Sequence, residues 1–107
     1  MEDIRARIER EVGGWEGVSV HPHRFGGVEF RLGKRELGHL HREIADLPFV
    51  RTIRDMLVEI GRAQPHHVLP DSGWVSRRIE NAEDVDEVIA LFRLSYERAR
   101  VAAARAR

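Results

Sequence analysis

An α+β two-layer sandwich is the fold class this sequence predicts, and three observations predict it. Segments with apolar residues at every third or fourth position alternate with shorter segments in which apolar and polar residues alternate singly. The strand-like segments follow one another through short, glycine-containing turns, which implies antiparallel pairing. A sheet of that kind must bury one face, and the helices are there to cover it. The order reads helix, three strands, helix, one or two strands, helix, for an antiparallel sheet of about four or five strands and three helices. The 107 residues make one domain, 1–107, and the 42% hydrophobic content suffices for a single small core.

The elements are justified in turn. Ile4, Ile8 and Val12 share one stripe that stops at Gly13-Gly14, the pattern of a short amphipathic helix. In "WEGVSVHPHRF", Val18 and Val20 alternate with Ser19 and His21 as a strand does, and Pro22 ends regular pairing or marks an edge. "FGG" then reads as a hairpin turn, since no helix follows it to make a phosphate cradle. Val28, Phe30 and Leu32 alternate with Glu29 and Arg31. The next turn lies in "GKRE". A two-residue loop at Gly33-Lys34 opposes Phe30 to Leu37 and Arg31 to Glu36; a four-residue loop opposes Leu32 to Leu37. Either even loop places Leu37, His39 and His41 on the face of Val28, Phe30 and Leu32, whereas an odd loop brings Leu40 there. Matching apolar with apolar favours an even loop, so His39 and His41 are expected to look toward the helices.

"ADLPF" reads as the entry to a second helix with Asp46 as its N-cap. Phe49, Ile53, Met56, Leu57 and Ile60 form that helix's stripe, and Gly61 stops it. Pro70-Asp71-Ser72-Gly73 has turn composition, with extended runs on either side. Asn81 caps a long last helix whose stripe is Val85, Val88, Ile89, Phe92, Tyr96 and Ala99.

Eighteen basic and eighteen acidic residues cancel, which argues against a dedicated nucleic-acid binder. The arginine-rich helical tail at 98–107 is the one place left open to phosphate. Its Arg98, Arg100, Arg105 and Arg107 oppose Glu83, Asp84, Asp86 and Glu87 at the start of the same helix, a segregation that the helix dipole accounts for without DNA. There is no cysteine, so disulfides, thiol catalysis, zinc fingers and iron–sulfur clusters are excluded. No apolar run reaches membrane-spanning length and the first residues are not signal-like, so the expected address is the cytoplasm. The small size is compatible with a homodimer.

Six histidines, all outside the long helices, are the main candidates for chemistry. In a strand, residues i and i+2 share a face at about 7 Å between Cα atoms, from a rise of about 3.3 Å per residue. His39 and His41 can therefore converge on one divalent metal, and Glu43 continues their parity. His21 and His23, from the strand before the hairpin, lie near enough to add to them. His66 and His67, as strand neighbours, would face opposite ways, so only one of them, His67, joins the cluster. Arg24, Arg31 and Trp74 are the residues expected to orient an anionic or aromatic small molecule. The bland reading of the same residues is a set of neutral, hydrogen-bonded histidines on a half-buried sheet. Asp71 and Ser72 sit together in a proline-led turn, where such side chains bond their own backbone, and no catalytic constellation surrounds them.

"HPHRFGGVEFRLGKRELGHLH", "ADLPF", "HHVLPDSGWVS" and "ALFRLSYER", in that order, resemble the small bacterial luciferase-family proteins, a family of unknown function. The resemblance implies no light emission, because a flavin-dependent luciferase is a much larger barrel than this chain can form. The last strand and the helix containing "LSYE" are similar to the end of MmcQ/YjbR-like proteins. That likeness implies a compact α+β fold and, as an alternative function, a nucleic-acid-binding or protein-interaction module. The reading from the residues is a small-molecule- or metal-binding domain with a histidine-lined pocket on its sheet, of unknown cofactor.

Overall fold

The computed structural model describes residues 4–106, which form three helices and a single six-stranded sheet. The helices are α1 (Ile4–Gly13), α2 (Arg51–Glu59) and α3 (Ala82–Arg105). The strands are β1 (Val18–His23), β2 (Gly27–Leu32), β3 (Arg35–His41), β4 (Ile44–Pro48), β5 (Gln64–Pro65) and β6 (Trp74–Arg78). Every pairing is antiparallel and the strand order is β1-β2-β3-β4-β6-β5. The α+β class holds, with one strand more than expected. Arg107 of the basic tail lies outside the described residues; the rest of that tail continues α3.

One face of the sheet is covered. Ile8 and Val12 of α1, Leu57 of α2, and Val88, Leu91 and Phe92 of α3 are almost fully buried in one core with Phe30, Leu37, Leu40, Leu47 and Val75. Phe92 meets Phe30 edge-on, with ring centroids 5.0 Å apart. Asn81 caps α3 as expected, its side chain accepting the Asp84 N–H at 2.9 Å. Met56 and Ile60, assigned to the buried stripe of α2, are about half exposed. The helix offers only Leu57 fully, because it meets the sheet chiefly at its β5–β6 margin.

Two expectations about the strands themselves need correction, and both bear on the site. The turn after β2 is the two-residue Gly33-Lys34 loop, and Arg31 opposes Glu36 as that loop requires. The ladder then shifts between Phe30 and Arg31: Phe30 opposes Gly38, Glu29 opposes His39, and Val28 opposes Leu40. Leu37 is the extra residue of a β-bulge, and one extra residue inverts the parity of everything after it. His39 and His41 therefore point away from the helices, and Leu40 takes the core position expected of them. Gly38 makes this possible. Its φ is +151°, and a Cβ there would lie 2.8 Å from the Asp46 carbonyl oxygen and 2.8 Å from the Phe92 ring. The Leu37 carbonyl freed by the bulge accepts the buried Ser95 hydroxyl of α3 at 2.8 Å.

The second correction is "IADLP", which is strand β4 rather than the entry to α2. Asp46 is not an N-cap. It opposes His39 on one side and Ser76 on the other, in the middle of the sheet.

Candidate functional site

The pairings β1–β2, β2–β3, β3–β4, β4–β6 and β5–β6 place His21, Glu29, His39, Asp46, Ser76 and Gln64 in one lateral row across all six strands. The row lies on the face away from the helices. Its centre is buried nonetheless: Glu29 is 9% exposed, Asp46 2% and Ser76 5%. Residues 66–69, between β5 and β6, fold back over it and bond to it.

Asp46 is the hub. Its Oδ1 accepts the Ser76 hydroxyl at 2.6 Å, and its Oδ2 stands 3.2 Å from Nε2 of both His39 and His67. Nε2 of His66 is 3.5 Å from Oδ1. Three imidazoles from two chain segments thus present the same nitrogen to one carboxylate. Burial opposes the negative charge on Asp46, but hydrogen bonds from His39, Ser76 and His67 outweigh it and hold the pKa at about 2.

His39 is held at both ends, since its Nδ1–H also donates to Glu36 at 2.7 Å. Burial works against a charge on this ring, yet the bonds to Asp46 and Glu36 prevail and raise its pKa to about 9. His66 goes the other way: burial lowers its pKa, and attraction to Asp46 offsets only part of that. Its Nδ1 accepts the backbone N–H groups of Val68 at 3.1 Å and Leu69 at 3.0 Å. An Nδ1 that accepts leaves the proton of a neutral ring on Nε2.

Around this hub lies a cleft of about 430 Å³. It gathers six of the residues expected in a ligand site: His23, Arg24, His39, His41, His67 and Trp74. His23 stacks on His39 at 4.0 Å between centroids and donates from Nδ1 to Glu29 at 2.9 Å. That bond keeps the Glu29 carboxyl below its ordinary range despite burial, with help from Arg31. Two expected residues stand outside the cleft. His21 bonds to the Ser19 hydroxyl at 2.7 Å, and Arg31 is engaged by Glu29 at 2.6 Å. Glu43 lies in the β3–β4 turn and does not extend the histidine pair.

The expectation that only one of His66 and His67 could join the cluster is also corrected. Both turn to Asp46, because they follow β5 in an irregular segment where strand alternation no longer applies. Asp46, Glu36 and Ser76 were missed. The alternation of Ile44, Asp46 and Pro48 against Ala45 and Leu47 was the available signal, masked by a proline-phenylalanine pair that resembles a helix start. Ser72 bonds the Leu69 carbonyl at 2.7 Å, as a turn serine does.

Residues 34–95, more than half of the chain, match the family model described as Luciferase domain. The chain belongs to the Luciferase domain family. The match runs from the β2–β3 turn into α3, so it includes Gly38, Asp46, both members of the His66-His67 pair and Trp74. No curated protein and no solved structure matches, and the MmcQ/YjbR likeness finds no counterpart in these comparisons. Among the described residues of this Luciferase domain, no helix is long and apolar enough to cross a membrane.

Proposed function

We propose that the domain binds a divalent metal at Asp46 and presents it to a small molecule in the histidine-lined cleft. The observation that carries this reading is the convergence of three imidazole Nε2 atoms on one buried carboxylate. Two ligand atoms that share a tetrahedral ion, each about 2 Å from it, lie a little over 3 Å apart. The separations of 3.2 and 3.5 Å between Asp46 and its imidazoles are of that size. Asp46, His66 and His67 can bring one ligand atom each within 4.8 Å of one another. With no thiolate available, nitrogen and carboxylate donors suit zinc, manganese, cobalt or non-haem iron.

Protonation ranks the nitrogens. His39 is held as an imidazolium between Glu36 and Asp46, so its Nε2 carries a proton and steadies the carboxylate instead of offering a lone pair. His66 frees its Nε2 at the cost of two backbone hydrogen bonds. Among the described residues, His66 and His67 bring a nitrogen within 4.8 Å of each other as well as of Asp46, so these three are the ligand set, and His39 steadies Asp46 beside them. Three protein ligands leave a position open to water or substrate.

Calorimetric titration of the full chain with zinc and with cobalt tests the reading. Asp46→Asn abolishes binding, and His66→Ala or His67→Ala weakens it by about tenfold or more. His39→Ala costs less. Undiminished affinity in Asp46→Asn overturns the site. The nucleic-acid alternative is disfavoured by charge, because the open face carries Glu29, Glu36 and Asp46.

A further inference from the structure

The cleft contains more than a metal needs, and the surplus has a consistent chemistry. Phe25 is 87% exposed, Val68 67% and Leu69 54%, and all three belong to the cleft wall together with Trp74. Phe25 is held outward by a left-handed backbone, φ 55°, in the three-residue helical turn Arg24–Gly26. For a residue other than glycine that conformation costs about 1–2 kcal/mol, which folding alone gives no return on here. Arg24, beside it, has a guanidinium with no hydrogen bond or ion pair among the described residues. Asp46 is the only carboxylate among the residues that line the cleft, so a bound divalent cation leaves the cavity positive. Finally, Nε2 of His41 is buried, without a hydrogen-bond partner, in the same wall. A buried polar atom left unpaired costs about 1–3 kcal/mol until something pairs with it.

We infer that the cleft takes a small aromatic carboxylic acid, its carboxylate reaching the metal and Arg24 and its ring lying against Phe25 and Trp74. The inference rests on the metal reading for one end of the ligand and on the aromatic wall for the other. The volume of about 430 Å³ lies at the small end of the range for small-molecule sites, about 300–1,000 Å³. A ligand of that size uses the apolar wall for affinity and a few polar groups for orientation. His41 lies beside the aromatic wall, its ring centroid 6.1 Å from that of Phe25, and its unpaired Nε2 suits a hydroxyl beside the carboxylate.

The experiment titrates the zinc-saturated full chain with salicylate, cyclohexanecarboxylate and phenol by calorimetry. Salicylate binds; the saturated acid binds about fivefold more weakly for want of ring stacking. Phenol, which lacks the carboxylate, loses about tenfold or more. Phe25→Ala and Arg24→Gln, both at exposed positions, each weaken salicylate by about fivefold or more. If zinc binds and none of the three does, or if both variants bind salicylate like the parent, the inference falls and the metal reading stands. If zinc itself does not bind, the metal reading falls and takes this one with it. A parent that sediments as a dimer, with Phe25→Ala a monomer, also overturns it, by assigning the apolar rim to a second copy of the chain.

Discussion

Leu40 and His39 are neighbours in β3, yet they serve opposite faces of the sheet by different physics. On the covered face, Leu40 packs with Phe30, Leu37 and Leu47, and its contribution scales with apolar area and the fit of its neighbours. On the open face, His39 is 14% exposed and held by two carboxylates at stated nitrogens. A core position of the first kind tolerates another side chain of similar volume. A position in the polar row tolerates very little, because each atom has a specific partner and a buried group left alone is costly. The fold therefore keeps its stability and its chemistry on separate faces, and a single bulge decides which residue goes to which.

The sharpest way to break the comparison is at that bulge. Gly38→Ala puts a methyl group against the Asp46 carbonyl and the Phe92 ring at a backbone angle that alanine resists. It is expected to destabilise the domain by about 3 kcal/mol or more, read by urea denaturation, and to disturb both faces together.

The next test separates the faces. Leu40→Ala is expected to cost about 2–5 kcal/mol of stability and to leave zinc affinity within a few-fold of the parent. His67→Ala costs less stability but loses the metal. Equal losses of both properties in the two variants would mean that the faces are not independent.

The pH dependence sharpens the difference further. The pKa of His39 is raised in the fold, so its contribution is fully present below its ordinary value of 6.5 and is lost as pH rises through about 9. The loss is about 3 kcal/mol at most. Asp46 has the opposite sign: its contribution is present above 3.8 and is lost as pH falls through about 2. Denaturation of the metal-free chain from neutral to alkaline pH is expected to show the first limb, and His39→Gln to flatten it. The smallest effect is that of Ser95→Ala, which leaves the Leu37 carbonyl of the bulge unpaired and costs about 1–2 kcal/mol by the same denaturation assay.

Much of the architecture was legible from periodicity. The stripes of α1 and α3, the Asn81 cap and an even-length turn in "GKRE" follow from residues within a few positions of one another, and local rules suffice there. The site was legible only as a composition. His23, Arg24, His39, His41, His67 and Trp74 stood out by residue type, but the direction assigned to His39 and His41 was wrong by one parity step. A glycine in an alternating strand signals a bulge weakly, since glycine also sits in regular strands. Asp46 was hidden for a different reason: its role is defined largely by strand β6 and by residues 66 and 67, none of them close in sequence.

The chain's own order of residues determined the helices, most of the strands, the antiparallel succession and the supply of imidazoles, because these depend on propensity and spacing along a few neighbouring residues. Only the tertiary structure decided which face His39 occupies and that Asp46 gathers three imidazoles. Those outcomes depend on a close approach of Gly38 to the β4 backbone, which a side chain would block, and on distances between segments that no local pattern encodes.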